Sequence, residues 1–249
     1  MLKYLEYTFN KFKDDVVLGC LVIAYMLYLA YEYFNSLDVE FETCYYINLT
    51  LLMLLYFGPI FAIYLGASIY YKDLNWNTLG YEVINFDRVK LFFRKVLFIF
   101  GINFQLCFGF IWFGNMIQMI VGYQDIYLPL LLNEFMISYL SLCFWSVLAL
   151  GLYLLSDSLI ISVALPCLLA LFEPYLYLYI NYLKYCLPRF HLFNLYRMIF
   201  IDIEVGKYSL ILMDYGSCNY LISIIYLMGL TILMMIISIY IIRRKEYKA

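Results

Sequence analysis

The sequence predicts an all-α integral membrane protein that crosses the bilayer six times. Of its 249 residues, 66% are apolar and only 14% are charged, whereas soluble domains average about 45–50% and about 25%. A soluble globule of this length cannot hide so much apolar surface, because its surface-to-volume ratio leaves too little interior. The apolar runs are also continuous and of helix length, whereas a membrane β-barrel alternates apolar and polar residues. The composition therefore excludes a cytosolic enzyme, a secreted domain, a coiled coil and a disordered chain.

The N-terminal arm, residues 1–15, carries one apolar stripe. Its large apolar residues recur at spacings of three and four, which places them on one face of a helix. They are Leu2, Leu5, Phe9 and Phe12, and the stripe continues to Val16 at the start of the first span. The lysines and carboxylates lie mainly off this stripe. We expect an amphipathic interfacial helix in the plane of the cytoplasmic headgroups, with its lysines toward anionic lipid.

Six apolar segments follow, and each provides about 20 residues, the length that a membrane-spanning helix needs. They are residues 16–34, 45–70, 96–121, 127–155, 159–183 and 220–242. Cytoplasmic loops are enriched in Lys and Arg, and placing both termini inside puts 12 of the 16 basic residues on the cytoplasmic side. We therefore predict a single transmembrane domain over residues 1–249, with both termini cytoplasmic.

The connections after the fourth and fifth spans are of two kinds. The turn between these two spans is only Ser156, Asp157 and Ser158, whose side chains can cap the helix that follows. The outer segment, residues 184–219, holds two semi-apolar stretches that are too short to span. We expect short extracellular helices there, at the outer membrane interface.

Two features of the spans favour close helix packing. Ala62 and Gly66 form a small-xxx-small pair in the second span, which permits two helix backbones to approach each other. The third span carries several amides, Asn103 among them, and amides commonly form hydrogen bonds between membrane helices. We interpret both features as packing elements.

The motifs that carry enzyme chemistry are missing from the sequence. The chain has a single histidine, His191, which we interpret as an interfacial residue of the outer segment. It contains neither a GxSxG nor an HExxH pattern, and it lacks the GxxxxGK[ST] loop that holds nucleotide phosphates. A net charge of −2 gives no reason to expect nucleic acid as a partner. We therefore predict no enzymatic activity, no metal site and no cofactor in this chain.

Two carboxylates lie inside predicted spans, Glu134 in the fourth and Glu173 in the fifth. A charge at the bilayer centre costs at least about 2.5–3.5 kcal/mol, which makes such residues functional candidates. Glu173 precedes a helix-bending proline and the tyrosines Tyr175 and Tyr177, a composition that favours a helix lining a hydrated pathway. We predict that these four residues line a transport pathway. A hydrogen bond from Glu173 to a neighbouring span, and a structural role for Glu134, are the open alternatives.

The segment between the second and third spans, residues 71–95, has the most distinctive pattern. Polar and small residues lead into a short run that is followed by an arginine and a lysine before the next span. The residues that carry this pattern are Asp73, Asn77, Thr78, Gly80, Glu82, Asp87, Arg88 and Lys95. It resembles the segment at the same place in the type-2 ABC exporter permeases. In that family the segment forms a short cytoplasmic coupling helix, which we expect here over residues 73–84.

The resemblance implies a function for the whole chain. A permease of this family pairs with a second copy of itself and with two copies of a separate ATP-binding cassette ATPase, which binds ATP and Mg²⁺. The resemblance implies seven ATPase-coupling residues: Asp73, Asn77, Thr78, Gly80, Glu82, Asp87 and Arg88. The chain is similar to exporters of amphipathic peptides such as modulin-type toxins and lantibiotics, so we expect amphipathic peptide or lipid-like cargo. A composition rich in Ile, Tyr, Asn and Phe fits an AT-rich bacterial genome, so the expected location is a bacterial plasma membrane.

A stand-alone membrane protein is the competing interpretation, either an ATP-independent carrier or an assembly scaffold. A carrier built from an internal repeat should show two similar halves. Residues 16–121 and 127–242 show no convincing similarity, which weighs against a carrier of that kind. The presence or absence of a partner ATPase separates the two interpretations.

Overall fold

The computed structural model describes residues 15–35, 43–75, 87–121, 128–179, 183–188, 190–192, 194–195 and 219–244. These ranges hold long α-helices, and no strand occurs within them, so the predicted all-α class is confirmed for this part of the chain. We number the helices in chain order: α1 is Val16–Asn35, α2 Thr43–Asn75, α3 Arg88–Val121, α4 Leu128–Ser156, α5 Leu159–Tyr179 and α6 Tyr220–Arg244, and a 3₁₀ helix covers Leu183–Cys186. The amphipathic helix predicted at the N-terminus lies outside the described residues.

Three helices in the described part of the chain are long and apolar enough to cross a membrane. They are Arg88–Met116, Leu131–Ser156 and Tyr220–Arg244. Two further helices, Val16–Tyr28 and Leu159–Glu173, are apolar but shorter. These lengths agree with a membrane protein, while the number of six spans stays a prediction.

The exterior of the bundle is apolar, as a lipid-facing surface requires. Large aliphatic side chains point outward on several helices; Ile120, Ile160 and Ile225 are 78%, 79% and 69% exposed. Soluble monomers rarely expose contiguous apolar surface on this scale. The same exterior is stable in hydrocarbon, because lipid tails are as apolar as these side chains.

The largest difference from the predicted spans lies in the segment 71–95. Helix α2 continues to Asn75 and α3 begins at Arg88, so the connection between them is shorter than predicted. The physical reason is burial of two charged residues that composition alone assigns to a polar connection. Asp73 and Lys95 lie inside the bundle and form an ion pair with each other, so both helix ends extend to include them.

Side chains cap the starts of α1, α3, α5 and α6. Asp15, Asp87 and Asn219 each accept a hydrogen bond from a first-turn N–H of the helix that follows, and the Ser158 hydroxyl accepts one from Ile161 at 3.4 Å. The capping predicted for the turn before α5 is therefore confirmed for Ser158. Asp157 ends α4 instead, in the left-handed conformation with φ at 52°.

Helix α4 is central, because it packs against α2, α3, α5 and α6. Its closest neighbour is α2, where a Cβ atom placed on Gly66 would lie 2.0 Å from the Ser146 carbonyl oxygen. Ala62, one turn earlier, is fully buried. The Ser146 hydroxyl accepts a hydrogen bond from the Asn103 amide of α3 at 2.9 Å. Three helices thus meet at Ser146, which confirms the packing interpretation for Ala62 with Gly66 and, among the amides, for Asn103.

Candidate functional site

The basic residues of the described chain gather at one end of the bundle. This end, called the basic end below, is formed by the start of α1, the end of α2, the start of α3 and the end of α6. Its lysines and arginines are Lys72, Arg88, Lys90, Arg94, Lys95, Arg243 and Arg244. Among the described residues only Lys184, in the 3₁₀ helix, is a basic residue placed elsewhere.

Helix α1 is attached to α2 at the basic end through Asp15. Its carboxylate lies 2.5 Å from Lys72 Nζ and accepts a hydrogen bond from the Tyr64 hydroxyl at 3.2 Å. Burial raises the pKa of Asp15, but the bonds from Lys72 and from the Leu18 N–H outweigh it and the net pKa is lowered. The carboxylate therefore stays ionised at neutral pH and holds the two helices together.

Helix α2 is attached to α3 one residue further on, through Asp73. Asp73 and Lys95 are 2% and 1% exposed and form a buried ion pair. The Lys95 ammonium also lies 4.5 Å from the centre of the Tyr70 ring, within the range of a cation–π interaction. Lys72 and Asp73 are adjacent in sequence at the end of α2, where Lys72 bonds to α1 and Asp73 bonds to α3. Asp15, Lys72, Asp73 and Lys95 are called the four-charge cluster below.

The predicted ATPase-coupling residues divide into two groups. Asp73 lies in the last turn of α2, Asp87 caps α3 by accepting the Val89 N–H at 2.9 Å, and Arg88 is the first residue of α3. The remaining four lie outside the described residues, as do residues 76–84 of the predicted coupling helix, whereas its residues 73–75 belong to α2. These four are Asn77, Thr78, Gly80 and Glu82. The coupling role stays a prediction, and for Asp73 the structure shows a different contact, the buried pair with Lys95.

Glu173 lies toward the opposite end of the bundle, in α5. It is fully buried, and its Oε1 accepts a hydrogen bond from the Phe190 backbone N–H at 3.1 Å. Residues 188 and 190–192 are helical, so the carboxylate satisfies an N–H in the first turn of a helical stretch. The open alternative of a hydrogen-bonded Glu173 describes this contact, and its place in a transport pathway stays a prediction. Tyr175 and Tyr177 lie in α5, with side chains outside those that the structure describes.

His191 is more deeply built into the fold than the sequence indicated. It is 2% exposed, its Nε2 lies 3.0 Å from the Tyr185 carbonyl oxygen, and its Nδ1 lies 3.0 Å from the Ser223 hydroxyl. Nε2 faces an acceptor, so it carries the proton and Nδ1 accepts from Ser223. Burial lowers the pKa of His191, although the contact with the Tyr185 carbonyl acts in the opposite direction. The ring also stacks on Tyr226 with centres 4.1 Å apart, so the expected interfacial residue is a packed, neutral one.

The signal that could have located His191 is its spacing from Asn194. Side chains three residues apart on a helix share a face. Both His191 and Asn194 contact Ser223, and the Asn194 amide donates a hydrogen bond to the Ser223 hydroxyl at 2.9 Å. Sequence reasoning treated the histidine alone and therefore missed this group.

Glu134 lies in the second turn of α4 and is 1% exposed. No hydrogen bond to its Oε1 occurs among the described residues. The Cys107 thiol of α3 lies close enough to interact with it electrostatically. Glu134 therefore lies inside the bundle, and both its place in a transport pathway and the alternative of a structural role stay predictions.

An apolar cavity of about 440 Å³ lies between α3, α4 and α6. Its walls include Phe100, Tyr139, Cys143, Met228 and Met235. Met228 is about half exposed, so the cavity opens on the exterior of the bundle. Its size and composition suit an apolar or amphipathic molecule.

The described residues hold no group of three or more His, Cys, Asp or Glu side chains that could bind a metal ion. Comparisons of the chain with protein-family models, with curated proteins and with solved structures found no match.

Proposed function

We propose that this chain is the permease subunit of an ATP-binding cassette exporter that moves amphipathic peptides, or lipid-like cargo, out of a bacterial cell. ATP hydrolysis takes place on a separate ATPase of which two copies bind a permease dimer. The proposal rests on the resemblance of residues 71–95 to the coupling segment of type-2 exporters. It is supported by the helical, externally apolar bundle and by helices of membrane-spanning length.

In this proposal the chain crosses the plasma membrane six times and both termini are cytoplasmic. The clustering of the described lysines and arginines at the basic end supports this orientation, because cytoplasmic ends of membrane helices are enriched in these residues. Residues 76–86 then lie on the cytoplasmic side, where an ATPase is available.

The observation that carries the coupling proposal is the four-charge cluster. Residues 76–86 connect α2 to α3, and both flanks of this connection are joined by the buried pair of Asp73 with Lys95. Asp15 and Lys72 link the same flank to α1. A push of the ATPase on residues 76–86 would therefore reach three helices at once, as a shear or hinge movement of packed elements.

Cargo recognition in this proposal uses the apolar parts of the bundle. The cavity between α3, α4 and α6 is of a size and character that suits the apolar face of an amphipathic molecule. Glu173, Tyr175, Tyr177 and Glu134 are the proposed polar residues of the pathway, and the Glu173 carboxylate would attract the basic groups of a cationic peptide.

Affinity purification in mild detergent tests this proposal. We expect an ATPase to co-purify with the tagged chain from its native host. Glu82→Arg should lose the ATPase, because reversing the charge of a docking residue weakens association. Glu246→Arg is the matched control, since it makes the same charge change in the C-terminal tail, also on the proposed cytoplasmic side, and should keep the ATPase.

Two results of this purification would contradict the proposal. If the chain is extracted from membranes into detergent and purifies without any ATPase, the ATP-independent carrier or the scaffold is favoured. Equal retention of the ATPase by Glu82→Arg and Glu246→Arg would remove residues 76–86 from the docking surface.

A further inference from the structure

Helix α4 carries a line of buried polar side chains that nothing in the described part of the bundle satisfies. Glu134, Ser138, Ser141 and Trp145 are spaced four, three and four residues apart, which places them on one face of the helix. Each of the four is at most 1% exposed. The Glu134 Oε1, both serine hydroxyls and the Trp145 indole nitrogen have no hydrogen-bond partner among the described residues. Buried polar groups are normally paired, so a line of four such groups needs an explanation.

The described residues around Glu134 supply no compensating charge. The described basic residues of α2, α3 and α6 lie at the basic end, whereas Glu134 is near the opposite end of α4. The titratable side chain beside Glu134 on α3 is the thiol of Cys107, which cannot carry a positive charge. The acid of α5, Glu173, interacts instead with the Phe190 N–H and with Tyr226. Glu173 and Glu134 therefore differ: the Oε1 of Glu173 accepts a hydrogen bond, whereas the Oε1 of Glu134 has no hydrogen-bond partner among the described residues.

We propose that Glu134 is a proton-binding site within the membrane domain, with Ser138, one helical turn away, as its hydrogen-bonding neighbour. An ionised carboxyl group in an apolar interior without a partner is strongly unfavourable, and binding a proton removes the charge. Proton uptake forms an O–H bond on a carboxylate oxygen, which turns an acceptor into a donor that the Ser138 hydroxyl, one turn away, can accept. Release breaks that bond and returns the proton to water.

The position of Glu134 gives this proton a short route. It lies six residues from Leu128, where α4 begins, or about 9 Å along the axis at the usual helical rise. That end of α4 is opposite to the basic end. The site is thus separate from the four-charge cluster, and binding of a proton there does not depend on an ATPase.

Dicyclohexylcarbodiimide tests the proposal, because this apolar reagent modifies carboxyl groups in membrane interiors when they are protonated. The full chain, purified in mild detergent, is treated at neutral pH and the adducts are located by peptide mass spectrometry. We expect an adduct on Glu134 that is lost in Glu134→Gln. Glu173 in the same molecules is the matched control and should react far more slowly. Equal labelling of the two glutamates, or labelling of Glu173 alone, would overturn the proposal.

Two further measurements, labelling in the presence of sodium and infrared spectroscopy, complete the test. Protection of Glu134 by sodium chloride, compared with choline chloride, would overturn the assignment to a proton, because sodium would then occupy the site. If neither glutamate is labelled, the infrared carbonyl band of a protonated carboxylic acid is measured. A band that is present in the unaltered chain and lost in Glu134→Gln supports the proposal. A chain without this band contradicts it. Monodisperse elution confirms that the variant is folded; if it is not, the ratio of Glu134 to Glu173 labelling decides.

Discussion

Replacing Lys95 with methionine is expected to destabilise the bundle strongly. The substitution removes the ammonium group while keeping a flexible apolar stem of similar length. Asp73, at 2% exposure, would stay behind as an uncompensated buried charge, and removing one partner of such a pair costs about 3–5 kcal/mol. The contact between Lys95 Nζ and the Tyr70 ring, at 4.5 Å, is lost as well, and it contributes up to about 2 kcal/mol when desolvated. We expect the free energy of unfolding to fall by roughly 3–5 kcal/mol.

The measurement is reversible unfolding of the detergent-solubilised protein, followed by circular dichroism. Lys90→Met is the matched control, because it makes the same change in the same helix at an exposed residue, where surface substitutions shift stability by about 0.5 kcal/mol or less. The double variant Asp73→Leu with Lys95→Met should regain most of the loss, since apolar replacements of a buried pair with similar volume are often neutral. The reasoning is refuted if Lys95→Met behaves like Lys90→Met, or if the double variant is no more stable than Lys95→Met.

Three further predictions follow from single side chains. Gly66→Ala should destabilise by about 1–3 kcal/mol, because its Cβ would lie 2.0 Å from a backbone oxygen of α4; Gly101→Ala, where a Cβ meets nothing within 4 Å, should be neutral or stabilising in the same unfolding assay. Burial holds the pKa of His191 below 6.5, so the unfolded chain binds this proton more readily. The contribution of His191 to stability is therefore complete above pH 6.5, the pKa in the unfolded chain, and is lost as the pH falls from there through the lower pKa of the folded state. His191→Gln should remove this dependence of stability on pH. Glu173→Gln keeps an acceptor for its hydrogen bond, so stability should change by less than about 1.5 kcal/mol, whereas export of a cationic peptide should fall; undiminished export would take Glu173 out of the pathway.

The helices could be predicted from the sequence because each depends on a local property. A continuous apolar run of sufficient length favours a helix wherever it occurs in the chain, so each of α1 to α6 coincides with a predicted span, although α2 ends five residues later and α3 begins eight residues earlier than predicted. Capping by Ser158 was also predictable, since it needs only a hydroxyl one residue before the first helical residue. The pair of Ala62 with Gly66 indicated a close helix contact, although not that its partner would be Ser146 of α4.

The contacts at the two ends of the bundle could not be predicted, because they join residues far apart in sequence. Asp73 and Lys95 looked like part of a polar connection, since their charges are visible in the sequence and their mutual burial is not. His191 looked like an isolated interfacial residue because its partners Tyr185 and Ser223 come from separate elements. Glu134 was recognised as unusual, but only the packing of α4 among four helices shows that it lies in the interior.

Transport by inside-out membrane vesicles tests the central proposal most directly. The vesicles come from cells that produce the chain together with its co-purifying ATPase, and the probe is a fluorescent cationic amphipathic peptide. The proposal predicts that the peptide accumulates in the vesicles when ATP is supplied, and that accumulation stops with a non-hydrolysable ATP analogue and in vesicles lacking the chain. Accumulation that is the same with and without ATP, or the same with and without the chain, would contradict it.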